Sequence, residues 1–438
     1  MVVNSMSYAT YDSYKDSGVD WLGKIPSDWD LQPAFKYIKE NKTKNTGLLE
    51  NTVLSLSYGK IIIKPEEKLT GLVPESFETY QIVEPNDIII RCTDLQNDKV
   101  SLRTGLVENR GIITSAYLGL KVFQNYNSKF LHYYLHSLDI TKAIYKFGTG
   151  LRQNLSFLDF KRLPLVDISL NLQQKIANFL DQKTAQIDQA IALKQQQIEK
   201  LNEYKQIVIQ NAVTKGLNPN APMKNSGVDW IGDIPEHWEI TATKRLLEIP
   251  ITDGPHTTPL FYDEGIPFIS AESIKNGKIN FDKKRGYISK ADYDLYSKKY
   301  KPKRNDIYMV KSGATTGRVA MVETDEIFTI WSPLAVFRTK NNVLLPKFLF
   351  YYLQSSSFQK SIELAWSYGT QQNIGMGVLG NLQCIIPPLA EQEKIIDFIE
   401  PYFSRFDKTK QLYQTQIDRL KEYKNILINQ AVTGKIKI

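Results

Sequence analysis

The sequence predicts a mixed α/β (α+β) protein in which two similar globular domains are joined and spaced by two long antiparallel helices. Three observations support this pseudo-twofold internal duplication. Two long polar stretches repeat each other without a gap, a shorter motif opens each half, and the segments between them show strand and helix patterns in the same order. The order of globular, helical, globular and helical segments indicates one unit that occurs twice in the chain.

The opening motif reads SGVDWLGKIP at residues 17–26 and SGVDWIGDIP at residues 226–235. The tryptophans of the motif, and the pair that follows at Trp29 and Trp238, are the same in both halves although the globular segments otherwise differ. We therefore predict that these tryptophans pack the domains rather than contact ligands. Residues 1–14 match nothing in the second half and are predicted to form a loose N-terminal tail.

The segments after each opening motif mix strand and helix patterns. Short runs rich in Ile, Val and Leu, bounded by Gly, Pro and Asn, predict strands at residues 61–63, 88–90, 118–122, 266–269, 306–310 and 334–337. Amphipathic stretches at residues 129–135 and 347–353 predict one helix in each half. A glycine-containing loop and a short apolar strand then lead into the long helix.

The long helices are predicted at about residues 172–216 and 390–435, where QIEKLNEYK and QIDRLKEYK stand 219 positions apart. Apolar residues spaced 3, 4 or 7 apart form a narrow heptad seam, which favours pairing with one partner helix. The alternative is that each stripe packs on its own domain. Pro401 is expected to kink or restart the second helix. The seam, in which Lys194 and Lys205 fill two positions, comprises Ile187, Ile191, Ile198, Leu201 and Val208 in the first copy and Phe406, Tyr413, Ile417, Leu420 and Leu427 in the second.

These patterns divide the chain into six segments. They are the tail at 1–14, a first globular domain at 15–168, a first spacer helix at 169–217, a hinge at 218–224, a second globular domain at 225–388 and a second spacer helix at 389–438.

Composition limits the function classes. A net charge of +8 and a pI near 9.0 permit a polyanionic partner without requiring one. The chain has two cysteines and no apolar run long enough to span a membrane, and its N-terminus does not resemble a signal peptide. We therefore expect a cytoplasmic protein.

Candidate catalytic and cofactor motifs do not hold up. Residues 375–380 fit G-x-G-x-x-G, but a polar stretch precedes them and the duplicated segment at 156–161 has no glycine. His132 and His136 are one helical turn apart, as in some zinc sites, yet no third ligand is evident and the counterparts are not histidines. His256 appears isolated. The sequence predicts no catalytic residue, no metal site and no cofactor in this chain.

Taken together, the repeated elements resemble a known family. Asp-Trp-x-Gly-x-Ile-Pro-x-x-Trp opening each half, and Lys/Arg-Leu-x-Glu-Tyr-Lys at the centre of each helix, are similar to the specificity subunit of type I restriction–modification systems. The resemblance extends from about residue 14 to residue 438. No single motif in it is highly specific, but the order of the elements, occurring twice, is.

The resemblance implies a non-catalytic subunit whose two target recognition domains each read half of a bipartite site on double-stranded DNA. It also implies that the helices form an antiparallel coiled coil that docks two methyltransferase (modification) subunits, with restriction subunits joining the full complex. S-adenosylmethionine, ATP and Mg²⁺ would then bind to those partners. Because the two domains differ in sequence, we expect an asymmetric site.

The helix length agrees with this interpretation. The seam from 187 to 213 is about 40 Å long at roughly 1.5 Å per residue, and a pseudo-twofold reader meets half-sites about 34–36 Å apart.

Basic and amide side chains near glycine-containing loops are the candidate DNA contacts, since Arg and Lys suit guanine edges or phosphate and Asn and Gln suit adenine. The candidates are Arg91, Arg103, Arg110, Lys146, Arg152, Gln153 and Asn154 in the first domain and Lys311, Thr315, Thr316, Arg318, Tyr368, Gln371 and Gln372 in the second. Two other functions are left open. One is a coiled-coil adaptor that reads no DNA, and the other is an enzyme with an unrecognised site.

Overall fold

The computed structural model describes residues 8–65, 67, 76–93, 102–146, 155–365 and 373–438. The chain forms two compact units. Unit 1 comprises residues 1–194 and 414–438, and unit 2 comprises residues 195–413. Each unit therefore contains one globular segment together with part of both long helices, which a linear division into domains does not express.

Unit 1 is built on an antiparallel sheet of four strands in the order β4-β11-β8-β9. Strand β8 lies in the middle of the sheet and consists of three isoleucines that are all fully buried. The strands are β1 (Tyr14–Asp16), β2 (Lys24–Pro26), β3 (Asp30–Pro33), β4 (Ile38–Glu40), β5 (Leu54–Ser57), β6 (Lys60–Ile63), β7 (Gln81–Val83), β8 (Ile88–Ile90), β9 (Thr104–Leu106), β10 (Gly111–Ile113), β11 (Leu118–Val122) and β12 (Pro164–Asp167).

The helices of unit 1 are α1 (Ser128–Ile140), α2 (Phe157–Phe160) and the first part of α3 (Leu170–Lys215). Helix α1 begins at an Asn cap, where the side-chain oxygen of Asn127 accepts a hydrogen bond from the Phe130 N–H over 2.9 Å. Its apolar face packs on the sheet next to β9, which confirms the helix predicted at 129–135.

The N-terminal segment is attached to unit 1 from Tyr8 onward. The ring of Tyr8 packs edge-to-face against Phe179 at 5.5 Å, and Tyr14 begins β1, which pairs with β2. The loose tail predicted for 1–14 is therefore wrong for residues 8–14. Aromatic side chains hold this segment in place, and their packing does not depend on similarity between the two halves.

Unit 2 repeats the four-stranded antiparallel sheet in the order β16-β24-β21-β22 and adds a three-stranded sheet, β20-β17-β23, in which β17 and β23 are parallel. The strands are β13 (Met223–Asn225), β14 (Asp233–Pro235), β15 (Glu239–Ala242), β16 (Thr252–Asp253), β17 (Ile266–Ile269), β18 (Ile274–Lys275), β19 (Lys278–Ile279), β20 (Gly286–Ile288), β21 (Ile307–Val310), β22 (Val319–Met321), β23 (Thr329–Ile330), β24 (Leu334–Phe337) and β25 (Gln383–Ile386). The helices are α4 (Lys290–Ser297), α5 (Pro346–Gln354), α6 (Ser356–Leu364), α7 (Met376–Asn381) and α8 (Leu389–Val432), of which α8 continues into unit 1. The predicted strands and the predicted helix at 347–353 are confirmed.

The two long helices, α3 and α8, are each continuous. Helix α8 passes through Pro401 without a break, so the predicted restart does not occur. A proline removes only one backbone hydrogen bond of the helix, and Ile399, two residues before it, is fully buried in the core of unit 2. Within the described ranges, neither of these helices nor any other has an apolar stretch that could cross a lipid bilayer.

Each long helix ends at a glycine in the left-handed conformation, Gly216 with φ 73° and Gly434 with φ 70°. A Cβ atom at Gly216 would lie 3.0 Å from the ring of Trp238, and one at Gly434 would lie 3.0 Å from the ring of Trp29. Both tryptophans are buried in the cores of their units. Their predicted packing role is confirmed, and it explains why they occur in both halves.

Candidate nucleic-acid interface

In unit 2, the loop after β21 is joined to the end of the second glycine-containing loop. The backbone N–H of Ile374 donates to the carbonyl oxygen of Lys311 over 2.9 Å, and Ser312 and Asn373 form an isolated β-bridge. The residues directly before Asn373 include the predicted contacts at 371 and 372. The structure therefore brings the ends of two predicted DNA-contacting loops together.

The loop from 311 to 318 has a compact backbone. The N–H of Gly317 donates to the carbonyl oxygen of Val310, and the N–H of Val310 donates to that of Arg318, each over 2.8 Å. The side chain of Gln359 on α6 donates to the carbonyl oxygen of Gly317 over 2.9 Å. Glycine is required at this position because φ is 90° and a Cβ atom would lie 2.6 Å from the Gln359 side-chain oxygen. These contacts with β21 and α6 therefore fix the conformation of the loop at its base.

The polar side chains of this loop differ in exposure. Arg318 is exposed, while Thr315 and Thr316 are partly buried. The hydroxyl of Thr316 donates to the carbonyl oxygen of Gly313 over 2.7 Å, which leaves its lone pairs as hydrogen-bond acceptors. Arg318 is accordingly the most accessible cationic group among the predicted contacts of the described loop.

Lys311 is not an exposed contact, contrary to our prediction. It is buried, with its ammonium 3.3 Å from the carboxylate of Asp253. The same carboxylate lies 2.5 Å from Lys299 and 3.1 Å from His256, so His256 is not isolated either. Burial alone would raise the pKa of Asp253, but the hydrogen bond from Lys299 and the surrounding positive charges lower it. Asp253 therefore stays ionised and balances Lys311 in the interior.

Unit 1 contains the same junction. The backbone N–H of Leu155 donates to the carbonyl oxygen of Cys92 over 3.0 Å, at positions 219 residues before the pair in unit 2. Cys92 follows Arg91 at the end of β8, as Lys311 follows β21. Arg91 is partly buried, and its backbone N–H donates to the carbonyl oxygen of Arg103 over 2.8 Å.

Arg103 was predicted as a DNA contact, but the structure places it inside unit 1. Its residue surface is 0% exposed, and its guanidinium donates to the carbonyl oxygens of Arg91 at 3.2 Å and Thr93 at 2.8 Å. Its backbone N–H donates to the carboxylate of Asp139 on α1 over 2.5 Å. Arg103 therefore shapes the loop from within, a role that its sequence neighbours do not reveal.

Arg110 lies in the turn before β10, where it forms ion pairs with Glu50 at 3.2 Å and Glu84 at 2.7 Å. Part of its charge is therefore compensated by its own unit. The remaining predicted contacts lie outside the described residues or, for Lys146, have a side chain that is not described. These are Lys146, Arg152, Gln153, Asn154, Tyr368, Gln371 and Gln372.

The seam positions of the two long helices are less exposed than the positions between them. In unit 1, Ile187, Ile191, Leu420 and Leu427 pack in one core, to which Ile417 adds a buried side chain. In unit 2, Ile198, Leu201, Val208, Phe406 and Tyr413 are all partly buried.

Polar contacts fix the direction of the helix pair. In unit 2, Lys205 contacts Asp407 at 3.4 Å, and Asn202, three residues earlier, contacts Lys410, three residues later. The helices therefore run antiparallel. The ammonium of Lys205 also lies 4.1 Å from the centre of the Phe403 ring, which lets a lysine occupy a seam position.

Comparisons with known proteins agree with this architecture. The family model described as the type I restriction modification DNA specificity domain matches residues 235–419. The chain is 23% identical over 429 residues to the type I restriction enzyme MjaVIII specificity subunit of Methanocaldococcus jannaschii, covering 95% of this chain and 94% of the relative. It is 24% identical over 382 residues to the EcoBI specificity subunit of Escherichia coli, covering 84% of this chain and 76% of the relative.

Over nearly its whole length, the chain is therefore similar to specificity subunits of type I restriction–modification systems.

A solved structure supports the fold of this chain. It comes from a structure described by the complex assembly and conformational transition of the type I restriction–modification system. The two chains superimpose with a TM-score of 0.66 at 15% identity, over 93% of this chain and 98% of the other. The globular segments of units 1 and 2 correspond to the two target recognition domains that the sequence resemblance implies.

Proposed function

We propose that this chain is a specificity subunit that reads a bipartite, asymmetric DNA site, with one half-site for each target recognition domain. The observation that carries the proposal is the junction found in both units, from Leu155 to Cys92 and from Ile374 to Lys311. The same backbone bond occurs in both units although the sequences that follow it differ, CTDLQNDKVSLR from residue 92 and KSGATTGR from residue 311. Similar frames with different side chains suit two half-sites that differ in sequence.

The loop side chains provide the chemistry for DNA recognition. An exposed arginine such as Arg318 can bind a guanine edge with two hydrogen bonds or neutralise a phosphate. Threonine hydroxyls at 315 and 316 can contact bases or phosphate, and the amides at 153, 154, 371 and 372 suit adenine. The net charge of +8 favours a polyanion in general.

We further infer that the chain contributes recognition and assembly rather than catalysis. Two methyltransferase subunits would dock on it, and restriction subunits would join the full complex. S-adenosylmethionine, ATP and Mg²⁺ would bind to those partners. The similarity to specificity subunits supports this division of labour, and the antiparallel pairing of the long helices supports a role in assembly.

Methylation mapping tests the proposal most directly. Single-molecule sequencing of the host genome, with and without this gene, should reveal methylated adenines in a motif of two short specific blocks, lost on deletion. Absence of gene-dependent methylation while the methyltransferase partner is expressed, active and copurifies with this chain would overturn the proposal in favour of an adaptor.

Domain exchange tests the assignment of one half-site to each domain. Replacing residues 225–387 with the equivalent segment of another specificity subunit should change one block of the methylated motif and leave the other unchanged. A change in both blocks would contradict separate recognition.

DNA affinity of the assembled complex should also fall steeply with salt, since phosphate contacts release counterions.

A further inference from the structure

A β-hairpin in unit 1 ends in an unusual turn. Strands β5 and β6 pair with Ser57 opposite Lys60, which leaves Tyr58 and Gly59 as a two-residue loop. Both loop residues have positive φ, 48° at Tyr58 and 77° at Gly59. This is the pattern of a type I′ turn, which favours Asn, Asp or Gly at its first position. A tyrosine there costs conformational free energy.

Within the described part of unit 1, no contact of the Tyr58 side chain offsets this cost. Tyr58 is 93% exposed, which is the highest exposure among the large apolar side chains of the described residues. Its ring therefore contributes almost no burial to the fold. Backbone strain that does not serve the core is a common feature of functional sites. The aromatic side chain therefore points to a partner outside the chain.

The hairpin tip lies beside the proposed DNA-reading loop. A Cβ atom built on Gly59 would be 3.1 Å from the side chain of Leu102, the residue directly before Arg103. Farther from the tip, Gly105 on β9 faces the hairpin. Because glycine has no side chain, it leaves room there for the side chains of Leu56 and Ile61. The hairpin is thus packed on Leu102 and on β9, the strand that follows residues 91–103 in the sequence.

The outward face of the hairpin is largely polar. Cross-strand pairs share one face of a ribbon, so Ser55 and Ile62 lie on the same face as Ser57 and Lys60. Two hydroxyls and an ammonium can contact base edges or phosphates. A two-stranded ribbon also has the width to enter the major groove, which is about 12 Å across.

We propose that the β5–β6 hairpin enters the groove of the half-site read by unit 1, with the ring of Tyr58 packed against the bases there. Tyr58 is then a specificity-determining contact of this domain. The proposal rests on the proposed function, because it names how that DNA is bound. The hairpin lies between β4 and β8 in the sequence, and the equivalent strands of unit 2 are β16 and β21. The stretch between those two strands also has exposed apolar side chains, at Leu260, Phe261 and Tyr262.

The choice of substitution separates binding from folding. Tyr58→Asn restores the Asn-Gly pair that a type I′ turn prefers, so the thermal unfolding midpoint should stay the same or rise. The affinity of the methyltransferase complex for its site should nevertheless fall about tenfold, since loss of one specific contact to the bases of a duplex has an effect of roughly this size. Tyr58→Phe should keep most of the affinity. Leu49→Asn, at a 73% exposed position in a different loop, should change neither quantity.

The readout is fluorescence anisotropy of the assembled complex on duplexes with one half-site altered at a time, after domain exchange has assigned the half-sites. Tyr58→Asn should weaken discrimination at the unit 1 half-site only. If it binds every duplex as the unsubstituted complex does, the hairpin proposal is wrong and the proposed function stands. If the unsubstituted complex shows no preference for any duplex, the proposed function itself fails.

Discussion

Ile374 donates its backbone N–H to the carbonyl oxygen of Lys311 over 2.9 Å, which closes the base of the loop that carries Arg318. The same bond joins Leu155 to Cys92 in unit 1. Because backbone groups make these bonds, an exposed side chain such as Arg318 can change without disturbing the frame. The residues that recognise DNA therefore differ from those that stabilise the fold, so substitutions should affect DNA binding and stability separately.

Arg318→Ala should weaken DNA binding without affecting the fold. Its side chain is exposed, and loss of one arginine contact to a base edge or phosphate costs about 1–3 kcal/mol, or roughly 5- to 150-fold in affinity. The measurement is anisotropy with the assembled complex at fixed salt. Arg304→Ala is the control, since Arg304 is also exposed but pairs with Asp325 at 2.7 Å. Equal losses in the two variants would show that Arg318 acts only through overall charge.

Arg103→Met should destabilise unit 1. The substitution removes the guanidinium that donates to the partly buried carbonyl oxygens of Arg91 and Thr93, which costs roughly 2–4 kcal/mol in the free energy of unfolding. Urea denaturation measures this. Arg110→Met should cost less than about 1 kcal/mol, because its ion pairs lie at the surface. A stable Arg103→Met variant with impaired DNA binding would restore Arg103 as a direct contact.

Features set by local periodicity were predictable from sequence. The seam follows from apolar spacing, and the strand at Ile88–Ile90 and the helix around Lys129 follow from short patterns that occur in both halves. The duplication also identified Trp29 and Trp238 as packing residues, since a residue that reads sequence would differ between domains. Each of these inferences needs only residues that are close in the chain or repeated in it.

Features that depend on distant residues were not predictable. Asp253 meets Lys299 from 46 positions away, and this non-local cluster removes Lys311 from the surface. The residues next to Arg103 in the sequence are typical of a loop, where an arginine is usually exposed. Only the folded structure shows that its guanidinium points inward. The position of Tyr58 depends on a turn conformation that the sequence Tyr-Gly does not favour.

Ile417→Ala should destabilise the helix pair. Ile417 is 2% exposed on the seam, and truncating such a side chain to alanine costs about 2–5 kcal/mol. Leu412→Ala, five positions earlier on the same helix but 54% exposed, should cost less than about 1 kcal/mol. Chemical denaturation followed by helical circular dichroism compares the two. Similar losses would mean that the helix face assigned to the seam is wrong.

The paired histidines of α1 should make unit 1 sensitive to acid. Each has a ring nitrogen that is buried without a hydrogen-bond partner. Burial lowers the pKa of His132 to about 4. Burial, together with the positive charges of Lys424 and Lys142 and any charge on His132, lowers the pKa of His136 to about 3. Both side chains are therefore neutral in the folded state at neutral pH.

Between the unfolded histidine pKa of about 6.5 and the folded values, the unfolded chain binds protons that the folded chain does not. The free energy of unfolding should therefore be undiminished above about pH 6.5 and fall as the pH is lowered towards 4, by at most about 1.4 kcal/mol per pH unit for each histidine. Replacing the pair with the residues at the counterpart positions in unit 2, as His132→Phe with His136→Gln, should flatten this decline. Urea denaturation at a series of pH values gives both slopes, and equal slopes would assign the acid sensitivity to carboxyl groups instead.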